Sequence, residues 1–263
     1  MTNIRTNLIN FLFPKTCINC GKTGEYLCVD CKKILTPHPE ICPYCHKISA
    51  NYQTCLDCKI SPYNALEWVI IPFSYSDATK KLISKFKYKH QKDLADFLVD
   101  RLIIALQTNP KIVQMLKESE KNLLWDMRTI PAKAGIQTNN QNTNQILISY
   151  IPTHRYRKHF VKGYNQSQIL AEEISQKIQI PNIELLQKPQ ATKAQAKLQR
   201  NQRLVNLQGK FMLNPETKLQ WNKTILLIDD VTTTNATLNE AARTIKAQYP
   251  FVKIRGLVIA RHN

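Results

Sequence analysis

From residue 66 onward, short apolar runs alternate with segments of helical period. Residues 66–75 (LEWVIIPFSY) are apolar and rich in branched and aromatic side chains, the composition of a strand. Residues 78–88 place Leu82, Ile83 and Phe86 at helical spacing among Lys80, Lys81, Lys85 and Lys87, and a second helical pattern covers 93–106. The runs at 146–151, 224–228 and 253–260 read as strands, with a shorter one at 183–186. Helices are expected at 166–179, where Ile169, Leu170, Ile174 and Ile178 share a face, and at about 236–248. Continuous apolar strands are those buried on both faces, and strand–helix alternation implies a parallel sheet. The expected fold class is therefore α/β with a parallel sheet, occupying residues 61–263.

Two stretches break this rhythm. Residues 107–145 read as an insertion. Its first part carries Ile112, Val113, Leu116, Leu123 and Trp125, enough for a short helix and a packed turn; its second part, AKAGIQTNNQNTNQ, is a polar low-complexity loop. Residues 188–210 are basic and Gln-rich with few apolar positions. Near the N-terminus, Leu8, Ile9, Phe11, Leu12 and Phe13 are interrupted by Asn10 and Pro14, and no small-residue cleavage site follows. That pattern suits a short docking helix and not a signal peptide. No run approaches the roughly 18 apolar residues of a membrane span, so no such span is expected.

Residues 1–60 obey a different logic. All eight cysteines fall there, in four C-x-x-C pairs: Cys17/Cys20, Cys28/Cys31, Cys42/Cys45 and Cys55/Cys58. A C-x-x-C turn aims two thiolates at one metal, and two such knuckles complete a tetrahedral structural Zn2+ site. A disulfide framework needs an oxidising compartment, and a redox C-x-x-C is normally single. A double zinc ribbon over residues 1–60 is the expectation, with the pairing of knuckles left open. His46, next to Cys45, reads as a surface residue, since four cysteine pairs already supply the ligands. Closed four-thiolate centres leave no open position, so the zinc is expected to shape the fold without a catalytic part.

The densest chemistry lies at residues 225–238, ILLIDDVTTTNATL. An apolar strand ends in Asp229 and Asp230, and ligands of open α/β sheets bind at that end of the strands. Neighbouring carboxylates can accept from two sugar hydroxyls and help hold Mg2+. The following loop, with Thr232, Thr233, Thr234, Asn235, Ala236 and Thr237, offers hydroxyls and backbone N–H groups at a helix N-terminus, a socket for phosphate. The formal net charge of +18 stays strongly positive even after two zinc centres are counted, and indicates a polyanionic partner. Residues 154–164 interleave His154, Arg155, Arg157, Lys158 and Lys162 with Tyr156, Phe160 and Tyr164, and residues 80–92 repeat the theme with Phe86 and Tyr88. Cations that follow a phosphate backbone, beside aromatic faces that stack on bases, suit single-stranded DNA.

The acid pair and threonine loop resemble those of type I phosphoribosyltransferases, which bind phosphoribosyl pyrophosphate (PRPP) there. With the fourfold C-x-x-C module and the segments FSYSDATKKLISKFKYKHQKDLA, IPTHRYRKHFVKGYNQSQILA and QATKAQAKLQRNQRLVNLQGKF, the chain resembles the ComF family of competence-associated proteins over nearly its whole length outside 107–145. The resemblance implies a type I phosphoribosyltransferase-like domain behind the double zinc ribbon. It implies that Asp229 and Asp230 meet the ribose hydroxyls and metal, and that residues 232–237 hold the 5′-phosphate. The turn through Pro152, Thr153, His154 and Arg155 takes the place of the pyrophosphate loop. Residues 188–206 take that of the mobile loop, where Lys193, Lys197, Arg200 and Arg203 would neutralise pyrophosphate or contact DNA. Asn235 departs from the pattern, since a glycine or other small residue is usual there; Asn is the non-glycine residue that best tolerates the left-handed backbone region. The implied role is support of DNA uptake and natural transformation, through PRPP and single-stranded DNA. The alternatives are an active phosphoribosyltransferase in nucleotide or amine metabolism, and a scaffold whose zinc module docks a competence helicase or recombination mediator.

Overall fold

The computed structural model describes residues 14–88, 92–110, 113–114, 146–153, 164–188, 209–219 and 223–262. The expected N-terminal helix, nearly all of the 107–145 insertion, most of the basic block at 154–163 and the bulk of the 188–210 segment lie outside them.

The cysteine-rich region is built twice on one plan. In each half an antiparallel bridge, Thr16 with Thr23 and then Ile41 with Ile48, brackets the first knuckle. Cys17 N donates to the Lys22 carbonyl (2.7 Å) and Cys42 N to that of Lys47 (2.9 Å). The chain reverses through a left-handed residue, Gly21 (φ 78°) in the first half and His46 (φ 61°) in the second. The second knuckle of each half opens a short helix, α1 (Val29–Lys33) and α2 (Leu56–Lys59), with Cys28 and Cys55 at the N-caps.

The rest follows the predicted alternation: β1 (Val69–Ile70), β2 (Phe73–Ser74), α3 (Asp77–Tyr88), α4 (Lys92–Gln107), β3 (Ile146–Tyr150), α5 (Gln166–Ile178), β4 (Leu186–Gln187), β5 (Met212–Leu213), β6 (Thr224–Thr232), α6 (Ala236–Gln248) and β7 (Lys253–Arg261). The single strand expected at 66–75 is two short strands, both paired with β7, on either side of Pro72, which has no N–H to give the ladder. The five-stranded sheet is parallel, with β7 beside β1 and β2, then β6, then β3. The strand expected at 183–186 is displaced. Its start only bridges the edge of β3, where Ile183 N donates to the Ile148 carbonyl (2.9 Å), and its end forms an antiparallel pair with β5 outside the main sheet.

Burial explains the continuous apolar pattern of β6. Leu226 and Ile228 face the layer of α3, α4 and α5, among Leu82, Leu98, Leu102 and Leu170. Ile225 and Leu227 face α6, among Leu238, Ala241 and Ile245. A strand covered on both sides has no polar face to show. The parallel order brings the ends of β3, β6 and β7 to one edge, and there Thr153, Asp229, Asp230, Arg261 and His262 meet the loop leading into α6.

Candidate functional site

Asp229 is buried at the end of β6. Its Oδ1 accepts from Ser167 Oγ on α5 (3.0 Å) and from the backbone N–H of Asp230 (2.9 Å). Burial, reinforced by the neighbouring Asp230 carboxylate, pushes its pKa up to about 7. Asp230 is more open. Its Oδ2 pairs with Lys87 Nζ of α3 at 2.8 Å, and its Oδ1 accepts from Val231 N at 2.7 Å. The two acids therefore differ in surroundings: one is shielded and easily protonated, the other is more open and paired with a lysine.

Beyond them the loop turns sharply. Thr232 Oγ1 accepts from Asn235 N (3.0 Å), while Thr233 and Thr234 stand exposed at the apex. Asn235 takes the left-handed conformation (φ 57°, ψ 11°), as expected for the residue in the glycine position. It is the N-cap of α6, yet its side chain makes no capping bond. The N-terminal N–H groups of α6, including those of Ala236 and Thr237, therefore face the loop without a side-chain acceptor from the cap, the usual arrangement where a helix receives an anion. Thr153, after β3, has a buried Oγ1 with no partner among the described residues.

The Asn235 side chain turns away to the cysteine-rich region. Its Nδ2 donates to the carbonyl of Pro43, between Cys42 and Cys45, at 2.9 Å. One turn along α6, Asn239 Oδ1 accepts from Tyr44 OH (2.7 Å) and from Ala65 N (3.0 Å), and Asn239 Nδ2 donates to the Tyr63 carbonyl (2.9 Å). His46 contacts Arg261 at the end of β7.

The cysteines sort into consecutive sets, Cys17, Cys20, Cys28 and Cys31, then Cys42, Cys45, Cys55 and Cys58, with the Sγ atoms of each set within 4.8 Å of one another. This resolves the pairing that spacing left open. Four thiolates at the usual Zn–S length of about 2.3 Å stand about 3.8 Å apart along a tetrahedron's edges. Cys20 and Cys28 are 3.7 Å apart, and Cys45 and Cys55 3.6 Å. Burial opposes ionisation of Cys17, but backbone hydrogen bonds from Cys28, Cys20 and Asn19 outweigh it and bring the thiol to about 6. The same balance brings Cys42 to about 7. Both sets fit a structural zinc ion.

Phe86 and Tyr164 are not stacking platforms: both are buried, and the Tyr164 hydroxyl donates to the Phe86 carbonyl, tying α5's entry to α3. Much of the α3 lysine cluster is also engaged, Lys81 with Asn19 (3.4 Å), Lys85 over the Tyr26 ring and Lys87 with Asp230. Lys87 and Ser167 are the site residues that sequence reasoning passed over; no spacing rule links them to an acid pair so distant along the chain. His154, Arg155, Arg157, Lys158, Lys162, Lys193, Lys197, Arg200 and Arg203 lie outside the described residues. Thr153 and Tyr164 flank the first of these two groups. Lys188 and Gly209 flank the second, with Lys188 close enough to favour ionisation of Asp229 and Gly209 N bonded to Glu240 of α6 (3.2 Å).

The class defined by these features is an α/β protein with a mostly parallel sheet, carrying an acid pair and a left-handed threonine loop, behind a cysteine-rich zinc ribbon with two four-cysteine centres. Residues 8–59 match the family model described as a double zinc ribbon domain. Over 247 residues the chain is 25% identical to Competence protein F of Haemophilus influenzae, covering 91% of this chain and 93% of that protein. It is 23% identical over 230 residues to Competence protein ComFC of Bacillus subtilis, covering 84% and 78%. Over most of its length the chain is thus similar to competence proteins, and the likeness to the ComF family extends from the cysteine-rich region into the α/β domain.

Proposed function

We propose that this protein supports DNA uptake and natural transformation by binding PRPP with Mg2+ at the β6–α6 loop and single-stranded DNA on its basic segments. The observation that carries the reading is Asp229 and Asp230 set at the end of a buried parallel strand, one loop before a helix N-terminus left open by its own cap. Carboxylates on adjacent residues suit a vicinal pair of sugar hydroxyls and a hard cation. The turn of residues 232–237 suits a terminal phosphate. Arg155 follows Thr153 in the sequence, and Lys193, Lys197, Arg200 and Arg203 follow Lys188, whose charge reaches Asp229; these cations are our candidates for pyrophosphate.

For DNA, the support is the net charge of +18 and the basic composition of residues 154–163 and 188–208. Ile48, Leu56 and Ile60 of the second ribbon are 78–90% exposed, which supports docking of a partner protein such as a helicase or recombination mediator. No helix among the described residues is long and apolar enough to cross a membrane.

Calorimetric titration of the zinc-loaded protein with PRPP and Mg2+ tests the first part, with Asp230→Asn as the control. Saturable binding that the variant loses supports the reading, and absence of binding to the wild type rejects it. Pyrophosphate release in the same cell would turn a binding site into a transferase. DNA affinity should fall steeply between low and moderate salt; affinity indifferent to salt would reject the polyanion reading.

A further inference from the structure

We infer that the second zinc centre is a working part of the phosphate site, joined to it by Asn235, so that zinc held by Cys42, Cys45, Cys55 and Cys58 positions the loop that receives phosphate. This rests on the PRPP reading above and extends it.

The geometry is specific. Pro43 and Tyr44 are the two residues inside the C-x-x-C turn, so both are held on either side by metal ligands. The carbonyl of one receives Asn235 Nδ2, and the hydroxyl of the other donates to Asn239 Oδ1. Asn235 and Asn239 stand one helical turn apart at the start of α6, where phosphate would bind. Tyr44 OH in turn accepts from Leu66 N (2.8 Å), so its donor direction is set by the chain leading into β1. His46, immediately after the last ligand of the knuckle, contacts Arg261, which pairs in register with Thr232 of the loop. Three positions of one zinc knuckle thus touch the phosphate loop, the first turn of its helix and the strand beside it. The first centre reaches a different part of the fold, through Asn19 and Lys81 of α3 and through Cys17, Leu27 and Cys31 in the core of that layer.

Asn235 is the keystone because it is 1% exposed and in left-handed geometry. A glycine would keep that backbone but could not reach Pro43. The asparagine therefore adds a tether to a turn that glycine alone could make. If the tether couples the two sites, the coupling must act in both directions. Zinc would hold the loop ready for phosphate, and bound phosphate would hold the knuckle against loss of its ion.

The test is release of zinc from the full-length, two-zinc protein to a chromogenic chelator, with and without saturating PRPP and excess Mg2+. In the wild type, PRPP should slow the departure of one of the two ions roughly tenfold, within the usual range of coupling between sites, and leave the other unchanged. Asn235→Gly should still bind PRPP, more weakly, and lose the protection; Tyr44→Phe, which keeps the ring, should lose part of it. The inference is overturned if wild type binds PRPP while both ions leave at unaltered rates, or if Asn235→Gly keeps full protection. Wild type that binds no PRPP in the accompanying titration would sink the PRPP reading itself and this inference with it.

Discussion

Replacing Asp229 by asparagine should make the protein more stable, and more so as pH rises. The carboxyl titrates near 3.8 when the chain is unfolded and near 7 in the fold, where burial and the Asp230 charge disfavour its anion. The folded chain therefore keeps this proton longer than the unfolded one. Stability from this group is complete below pH 3.8 and is lost as pH rises to about 7. The side-chain amide of the variant does not ionise in this range. Its oxygen could still accept from Ser167 and from Asp230 N. At about 1.36 kcal/mol per pH unit, the advantage of the variant should grow by about 2 kcal/mol between pH 5.5 and 8 and then level off. Urea denaturation of both zinc-loaded proteins across that range, in Mg2+-free buffer, reads it as a divergence of midpoints of about 1 M at a slope of roughly 2 kcal/mol per M. A gap between the two proteins that does not change with pH would refute the assignment of a shielded, late-titrating carboxyl to Asp229. The same variant should bind PRPP with Mg2+ poorly, since an amide brings no negative charge to the cation and one acceptor oxygen where the carboxylate has two, so stability and affinity should move in opposite directions.

Other expectations follow from single contacts. Lys87→Met removes the cation beside Asp230 and should cost about 1–2 kcal/mol in denaturant, between the exposed and buried limits for an ion pair. Asn235→Ala should cost about 2 kcal/mol, from a lost buried hydrogen bond and the replacement of asparagine by a residue that tolerates left-handed backbone less well, and more than Asn235→Gly, which adopts that backbone freely. At Gly256 of β7 a Cβ would stand 3.0 Å from both Cγ atoms of Val69 on β1, so Gly256→Ala should lower the melting temperature by overpacking, at about 1–3 kcal/mol. Removing zinc with a strong chelator under reducing conditions should expose residues 14–60 to protease before β6 and β7 are cut; simultaneous cleavage of both regions would contradict a locally organised zinc module.

Local order along the chain carries the ingredients of this fold. Apolar runs of strand length, helical periods and C-x-x-C turns are written in neighbours along the chain, so α6, β7 and the cysteine knuckles were legible with bounds close to those observed, while β6 runs four residues past its expected end, through both acids to Thr232. The acid pair and threonine loop were legible for the same reason, as was the left-handed turn that Asn235 was expected to tolerate. The interruption at Pro72 and the displacement of residues 186–187 into a pair with β5 were not, because strand partnership depends on a register with distant segments. Only the tertiary structure decided which knuckles share a metal, that Ser167 and Lys87 set the two carboxylates apart, and that Phe86 and Tyr164 face inward. It alone turned Asn235 toward Pro43. Most of these are contacts across scores of residues, where burial and hydrogen-bond geometry choose among partners that the one-dimensional pattern leaves equivalent.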